Sequence, residues 1–96
     1  MEYILFIHNN NEQATTVKQW DNFFTAANNS GMFTGGSEII NSLQIGKKTD
    51  RLITNFIDGH MRFETDKLNN LLELLKMHPI YLQGDTLELC EMPRTP

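Results

Sequence analysis

A single cysteine, Cys90, stands among the 96 residues of this chain, so no internal disulfide can close and a reducing, cytoplasmic compartment is expected. Basic residues are few: 8 lysines and arginines face 12 aspartates and glutamates, for a net charge of -4. No cluster of cations is present to neutralise a row of phosphates, which argues against nucleic acid as a partner. The longest apolar run is residues 3–7. A membrane-crossing helix needs about 20 residues, and no basic segment precedes the run as in a signal peptide, so no membrane partner is expected. P-loop, GxGxxG, GxSxG and HExxH patterns are all missing, and with them the short signatures of nucleotide binding, serine hydrolysis and zinc proteolysis. Repeats, low-complexity tracts and interdomain linkers are missing too, which leaves one domain over residues 1–96.

What is present suffices for a core. Hydrophobic residues make up 40% of the chain and charged residues 21%, an ordinary balance for a folded domain. A chain of this length hides roughly 60–70% of its extended surface on folding. Tyr3, Ile4, Leu5, Phe6 and Ile7 place apolar groups at both parities, the pattern of a central strand. Asn9, Asn10 and Asn11 offer cap chemistry, so a helix is predicted from near Glu12. Its apolar side carries Val17, Trp20, Phe23, Phe24 and Ala27, and Gly31 stops it. A bulged second strand is expected over residues 37–45, a turn over 46–50, and an edge strand or lead-in over 52–57. Residues 58–64 alternate as a third strand, Asp66 is the expected N-cap, and a helix is predicted over 67–77. Leu68, Leu71, Leu72 and Leu75 fall within one arc of about 100° on that helix. Pro79 ends the run, and a fourth strand follows Gly84 and Asp85.

The order β-α-β-β-α-β is the ferredoxin-like α+β pattern, a four-stranded antiparallel sheet with two helices on one face. Met61 and Phe63 then face the helices, as do Leu87 and Leu89, while His60, Arg62, Glu64, Glu88, Cys90 and Met92 take the uncovered side. An open face with this much apolar surface calls for a second copy of the chain, and a homodimer is expected.

Two constellations of ionisable residues follow from that topology. Antiparallel pairing of the first and third strands predicts His8 beside Asp58 and His60, where an aspartate orients an imidazole base. The plainer alternative is a strand end in solvent followed by a turn. Arg62, Glu64 and Glu88 are expected as neighbours on the open face, where an arginine with carboxylates suits a small anionic substrate. Against this stands a self-satisfied ion-pair network within a dimer. These six residues form the candidate pocket for a small polar molecule at the open sheet face. The alternatives are a lyase or isomerase with His60 or His8 as base, and a non-catalytic interaction dimer.

His8, His60 and Asp58 also make up a two-His, one-carboxylate set, but the isolated histidines and lone cysteine lack paired ligand spacing, so neither metal nor cofactor is expected. His78 follows the second helix, where a cationic side chain favours the negative helix end. Cys90 has no basic neighbour in sequence and reads as a packing group. Trp20, Phe23 and Phe24 read as core.

The C-terminal unit, Glu64-Thr65-Asp66, Leu71-Leu72-Glu73-Leu74-Leu75-Lys76, His78-Pro79 and Leu87-Glu88-Leu89-Cys90-Glu91-Met92-Pro93, resembles the YCII-related family, also called DGPF-domain proteins. The opening Met1-Glu2-Tyr3-Ile4-Leu5-Phe6-Ile7, the Ser30-Gly31-Met32-Phe33 helix end and Gly35-Gly36 extend the likeness over most of the chain. This resemblance implies the dimeric α/β barrel group, in which two sheets pair and leave pockets beside the barrel. The Asp-Gly-Pro-Phe motif is replaced here by Asn55-Phe56-Ile57-Asp58-Gly59. The first helix holds Trp20 and Asp21 and no histidine, so the His-Asp pair that the resemblance implies for enzymatic members has no counterpart.

Overall fold

A computed structural model describes residues 1–8, 14–47 and 56–93 of the chain. Its elements run β1 (Glu2–His8), α1 (Val17–Ser30), β2 (Phe33–Glu38), β3 (Ile57–Glu64), α2 (Leu68–Leu75), α3 (Pro79–Leu82) and β4 (Leu87–Met92). The four strands form one sheet in the order β2-β3-β1-β4 with every pairing antiparallel. This is the ferredoxin-like arrangement that the alternation of strand and helix signals predicts.

Strand period decides which residues meet the helices. Tyr3, Leu5 and Ile7 of β1 and Met61 and Phe63 of β3 are buried, and Leu87 and Leu89 of β4 pack against the same cluster. Helix residues Phe23, Ala27, Leu71, Leu74, Leu75 and Ile80 complete it. Each fully buried large apolar side chain stabilises the fold by roughly 1.5–3 kcal/mol.

Several local boundaries differ from expectation. Ala14, Thr15 and Thr16 are not helical, so α1 starts later than Glu12. Thr16 is the cap: its Oγ1 accepts from the Gln19 amide at 3.1 Å, and Gln19 Oε1 accepts from the Thr16 amide at 3.0 Å. This reciprocal box satisfies donors that a helix start otherwise leaves unpaired. Asn9, Asn10 and Asn11 lie outside the described residues.

β2 is earlier than predicted, at Phe33–Glu38, and residues 40–45 are not strand. Gly36 belongs to it because the chain passes very close to β3, and Gly35 because the backbone there takes a φ of 145°. A Cβ on Gly36 would lie 2.5 Å from the His60 carbonyl oxygen, and one on Gly59 would lie 2.9 Å from that of Ser37. The ladder shifts register between Phe33 and Gly35, ahead of the residues over which a bulge is expected. Residues 48–55, which carry most of the predicted turn and lead-in, lie outside the described residues, and Ile57 already belongs to β3.

α2 is shorter than 67–77, and Asp66 does not cap it: Lys67 holds the cap position with no side-chain bond, while Asp66 lies 3.5 Å from the N-terminal amine. Its buried stripe is Leu71, Leu74 and Leu75, with Leu68 and Leu72 more than a third exposed, so the inward arc is rotated toward Leu74. Pro79 opens α3 at its first turn, where a missing N–H costs nothing.

Candidate functional site

On the uncovered side of the sheet, register places the side chains in rows. Ser37, His60, Phe6 and Glu88 form one row across β2, β3, β1 and β4, and Gly35, Arg62, Ile4 and Cys90 form the next. Each step is one strand spacing, about 4.8 Å. β1 therefore separates Arg62 and Glu64 on β3 from Glu88 on β4, and the predicted Arg62, Glu64 and Glu88 group does not assemble. Spacing of i and i+2 joins residues within a strand and cannot bridge an intervening one. Arg62 is exposed and makes no ion pair with Glu88.

The predicted meeting of His8 with Asp58 is also displaced. His8 pairs with Ile57 because the ladder shifts register after Ile7, and its Nε2 lies 2.8 Å from Glu88 Oε1. His60 sits opposite Phe6, a diagonal neighbour of His8 on the same face, and no hydrogen bond joins the two imidazoles. No group of three or more histidine, cysteine, aspartate or glutamate side chains fit to hold a metal ion occurs among the described residues.

A concave site lies elsewhere. A cleft of about 820 Å³ opens where α1 and α3 meet the β2–β3 end of the sheet. Its walls include Trp20, Phe24 and Phe33, with Ile7, Met61 and Ile80 below them, and its rim includes Ser37, Glu38, Asp58 and His60. Of the candidate residues, Asp58 and His60 line it; His8, Arg62, Glu64 and Glu88 do not.

The aromatic wall is continuous. Ring centroids lie 5.9 Å apart for Trp20 and Phe24 and 6.0 Å for Phe24 and Phe33, within the range of favourable aromatic pairing. Indole Nε1 of Trp20 donates to Thr15 Oγ1 at 2.9 Å, so its polar atom is satisfied inside the protein. Phe23 is fully buried as expected, whereas Trp20 is only partly buried and Phe24 is exposed. An incompletely buried aromatic pair is the mark of a wall and not of a core, and helical period alone does not distinguish the two.

Behind this wall stands His78, completely buried and edge-on to Trp20 at 5.0 Å and Phe23 at 4.7 Å. Its Nδ1 accepts from the Ile80 amide at 3.1 Å and caps α3. The proton therefore sits on Nε2, which has no hydrogen-bond partner among the described residues. Burial pushes the imidazole pKa down to about 4. His78 is thus a neutral acceptor at a helix start, and the expected cation at a helix end is corrected.

Glu38 and Asp58 are the charged residues of the cleft among those described, and both are exposed. Neither carboxylate has a hydrogen bond or ion pair with a described residue.

No protein-family model matches the chain, and no curated protein matches it. A solved structure with a similar fold is 5-chloro-2-hydroxyhydroquinone dehydrochlorinase from Burkholderia phenoliruptrix AC1100, in complex with 2,5-dihydroxybenzoquinone. The two superpose with a TM-score of 0.58 over 99% of this chain and 96% of that one, at 9% sequence identity. That likeness establishes the shared fold. No helix among the described residues is long and apolar enough to cross a membrane.

Proposed function

We propose that this chain is a YCII-like, cytoplasmic protein that acts as a homodimer and binds a small organic molecule in the cleft beside β2, β3 and α1. The observation that carries this reading is the cleft of about 820 Å³ with Trp20, Phe24 and Phe33 on its wall and Ser37, Asp58 and His60 at its rim. Apolar walls with a few converging polar groups are the usual make-up of a small-molecule site. The cleft is favoured over the open sheet face because the latter is a strand surface with Arg62 and Glu88 on separate strands. The fold likeness adds support, since the dehydrochlorinase was solved with a small ring compound bound.

A second reading rests on His8 and Glu88, which are in contact at 2.8 Å. A carboxylate holding an imidazole is the arrangement of a general base and its orienter. On this reading the open face performs proton transfer, as in a lyase or isomerase, with Glu88 in the place expected for Asp58.

Amide chemical-shift mapping against a library of small metabolites separates these readings. Cleft binding shifts the Trp20 indole and the amides of Gly36, Ser37 and Asp58. Shifts confined to Arg62, Glu88 and Cys90 reject the cleft in favour of the open face.

A further inference from the structure

We infer that the cleft selects an organic cation, a protonated or quaternary amine carried on an apolar body; this rests on the cleft being the binding site. Three observations combine. Trp20, Phe24 and Phe33 supply aromatic surface, and the negative ring faces of such side chains attract cations, tryptophan most strongly. Glu38 and Asp58 border the same cleft, and neither carboxylate is paired with a described residue. Lysine and arginine are absent from the cleft lining among the described residues, and Arg62, the side chain expected to hold an anion, lies outside it.

An anionic ligand here would leave water to approach an acidic border with no cationic side chain among the described lining residues. A cation instead gains attraction from both acids while its apolar body covers Trp20 and Phe24. The indole N–H is already bonded to Thr15, so the tryptophan offers its carbon surface without stranding a donor. Recognition by this set depends on the positive charge itself, and a neutral compound of the same shape retains only the apolar part of the affinity.

The test uses three probes of similar size: benzyltrimethylammonium, benzyl alcohol and benzoate. Binding is read by titration calorimetry and by the fluorescence of Trp20, the sole tryptophan. Benzyltrimethylammonium is expected to bind about tenfold or more tightly than benzoate. In the double variant Glu38→Gln and Asp58→Asn, affinity for the ammonium falls about tenfold while that for benzyl alcohol holds. Both positions are exposed, and an unchanged melting temperature confirms that the variant folds. Benzoate binding as tightly as the ammonium overturns the inference, as does ammonium affinity that the double variant leaves intact. If benzyl alcohol alone binds, charge selection falls and the cleft survives as a binding site. Silence from all three probes removes both.

Discussion

His8 and Glu88 join β1 to β4 by a diagonal contact on the open face, with Nε2 and Oε1 2.8 Å apart at a sequence separation of 80. Phe6 lies directly opposite Glu88, and the amide of His8 bonds to the Thr86 carbonyl at 3.3 Å. The imidazole thus reaches one step along its own face to the carboxylate, as long side chains do between diagonal cross-strand neighbours.

Because both side chains are partly exposed, the contact organises the face more than it stabilises the fold. A double-mutant cycle with His8→Gln and Glu88→Gln is expected to give a coupling of about 0.2–1 kcal/mol, smaller in 1 M salt. Additive losses, measured by urea denaturation, reject the contact.

His78 makes a larger contribution, and its sign is opposite to that of a paired histidine. The folded pKa of about 4 lies below the ordinary value of 6.5, so acid protonates the unfolded chain first. Stability from this group is fully present above about pH 6.5 and is lost as pH falls toward 4, by about 2 kcal/mol at pH 5. The His78→Asn variant keeps a capping side chain and removes the titration. Wild type should therefore lose about 2 kcal/mol more than the variant between pH 8 and pH 5, read from paired urea curves. Parallel losses contradict a buried, neutral imidazole.

Legibility from sequence tracked how local the determining physics is. Alternation along β3 put Met61 and Phe63 inward and His60 and Arg62 outward, and register agrees residue by residue. The Thr16 and Gln19 box was legible in principle, since a threonine three residues before a glutamine is its signature. Asn9, Asn10 and Asn11 drew the predicted helix start away from it. Contacts across strands were less visible: the partner of His8 depends on a register shift after Ile7, which no short motif announces. The cleft was hidden for another reason. Trp20 and Phe24 share the helical spacing of Phe23, and only tertiary packing shows that Phe23 is enclosed while Phe24 remains open.

Gly36 tests how closely the cleft depends on the β2–β3 approach. A methyl there meets the His60 carbonyl at 2.5 Å and the Met61 Cα at 3.0 Å, both backbone atoms that cannot swing aside. Gly36→Ala is expected to destabilise by about 1–3 kcal/mol through forced separation of the strands. Hydrogen exchange should quicken at β2 amides and remain slow at the β1–β4 pairing. A neutral effect on stability contradicts the close approach.

The open face carries the last prediction. Ile4, Phe6, Cys90 and Met92 are only partly covered and adjoin one another across β1 and β4. Such a patch is larger than isolated apolar residues on a surface, and a twin sheet laid against it removes it from water on both copies at once. Phe6 stands beside Glu88 in the central row, so a carboxylate placed there is desolvated on association next to a like charge. Analytical ultracentrifugation is expected to give twice the 11.1 kDa chain mass for wild type and the single-chain mass for Phe6→Glu. Tyr81→Glu, an exposed substitution on the helix side, leaves the dimer intact. A wild-type chain that sediments at 11.1 kDa at micromolar concentration denies the twin and leaves the apolar face without its cover.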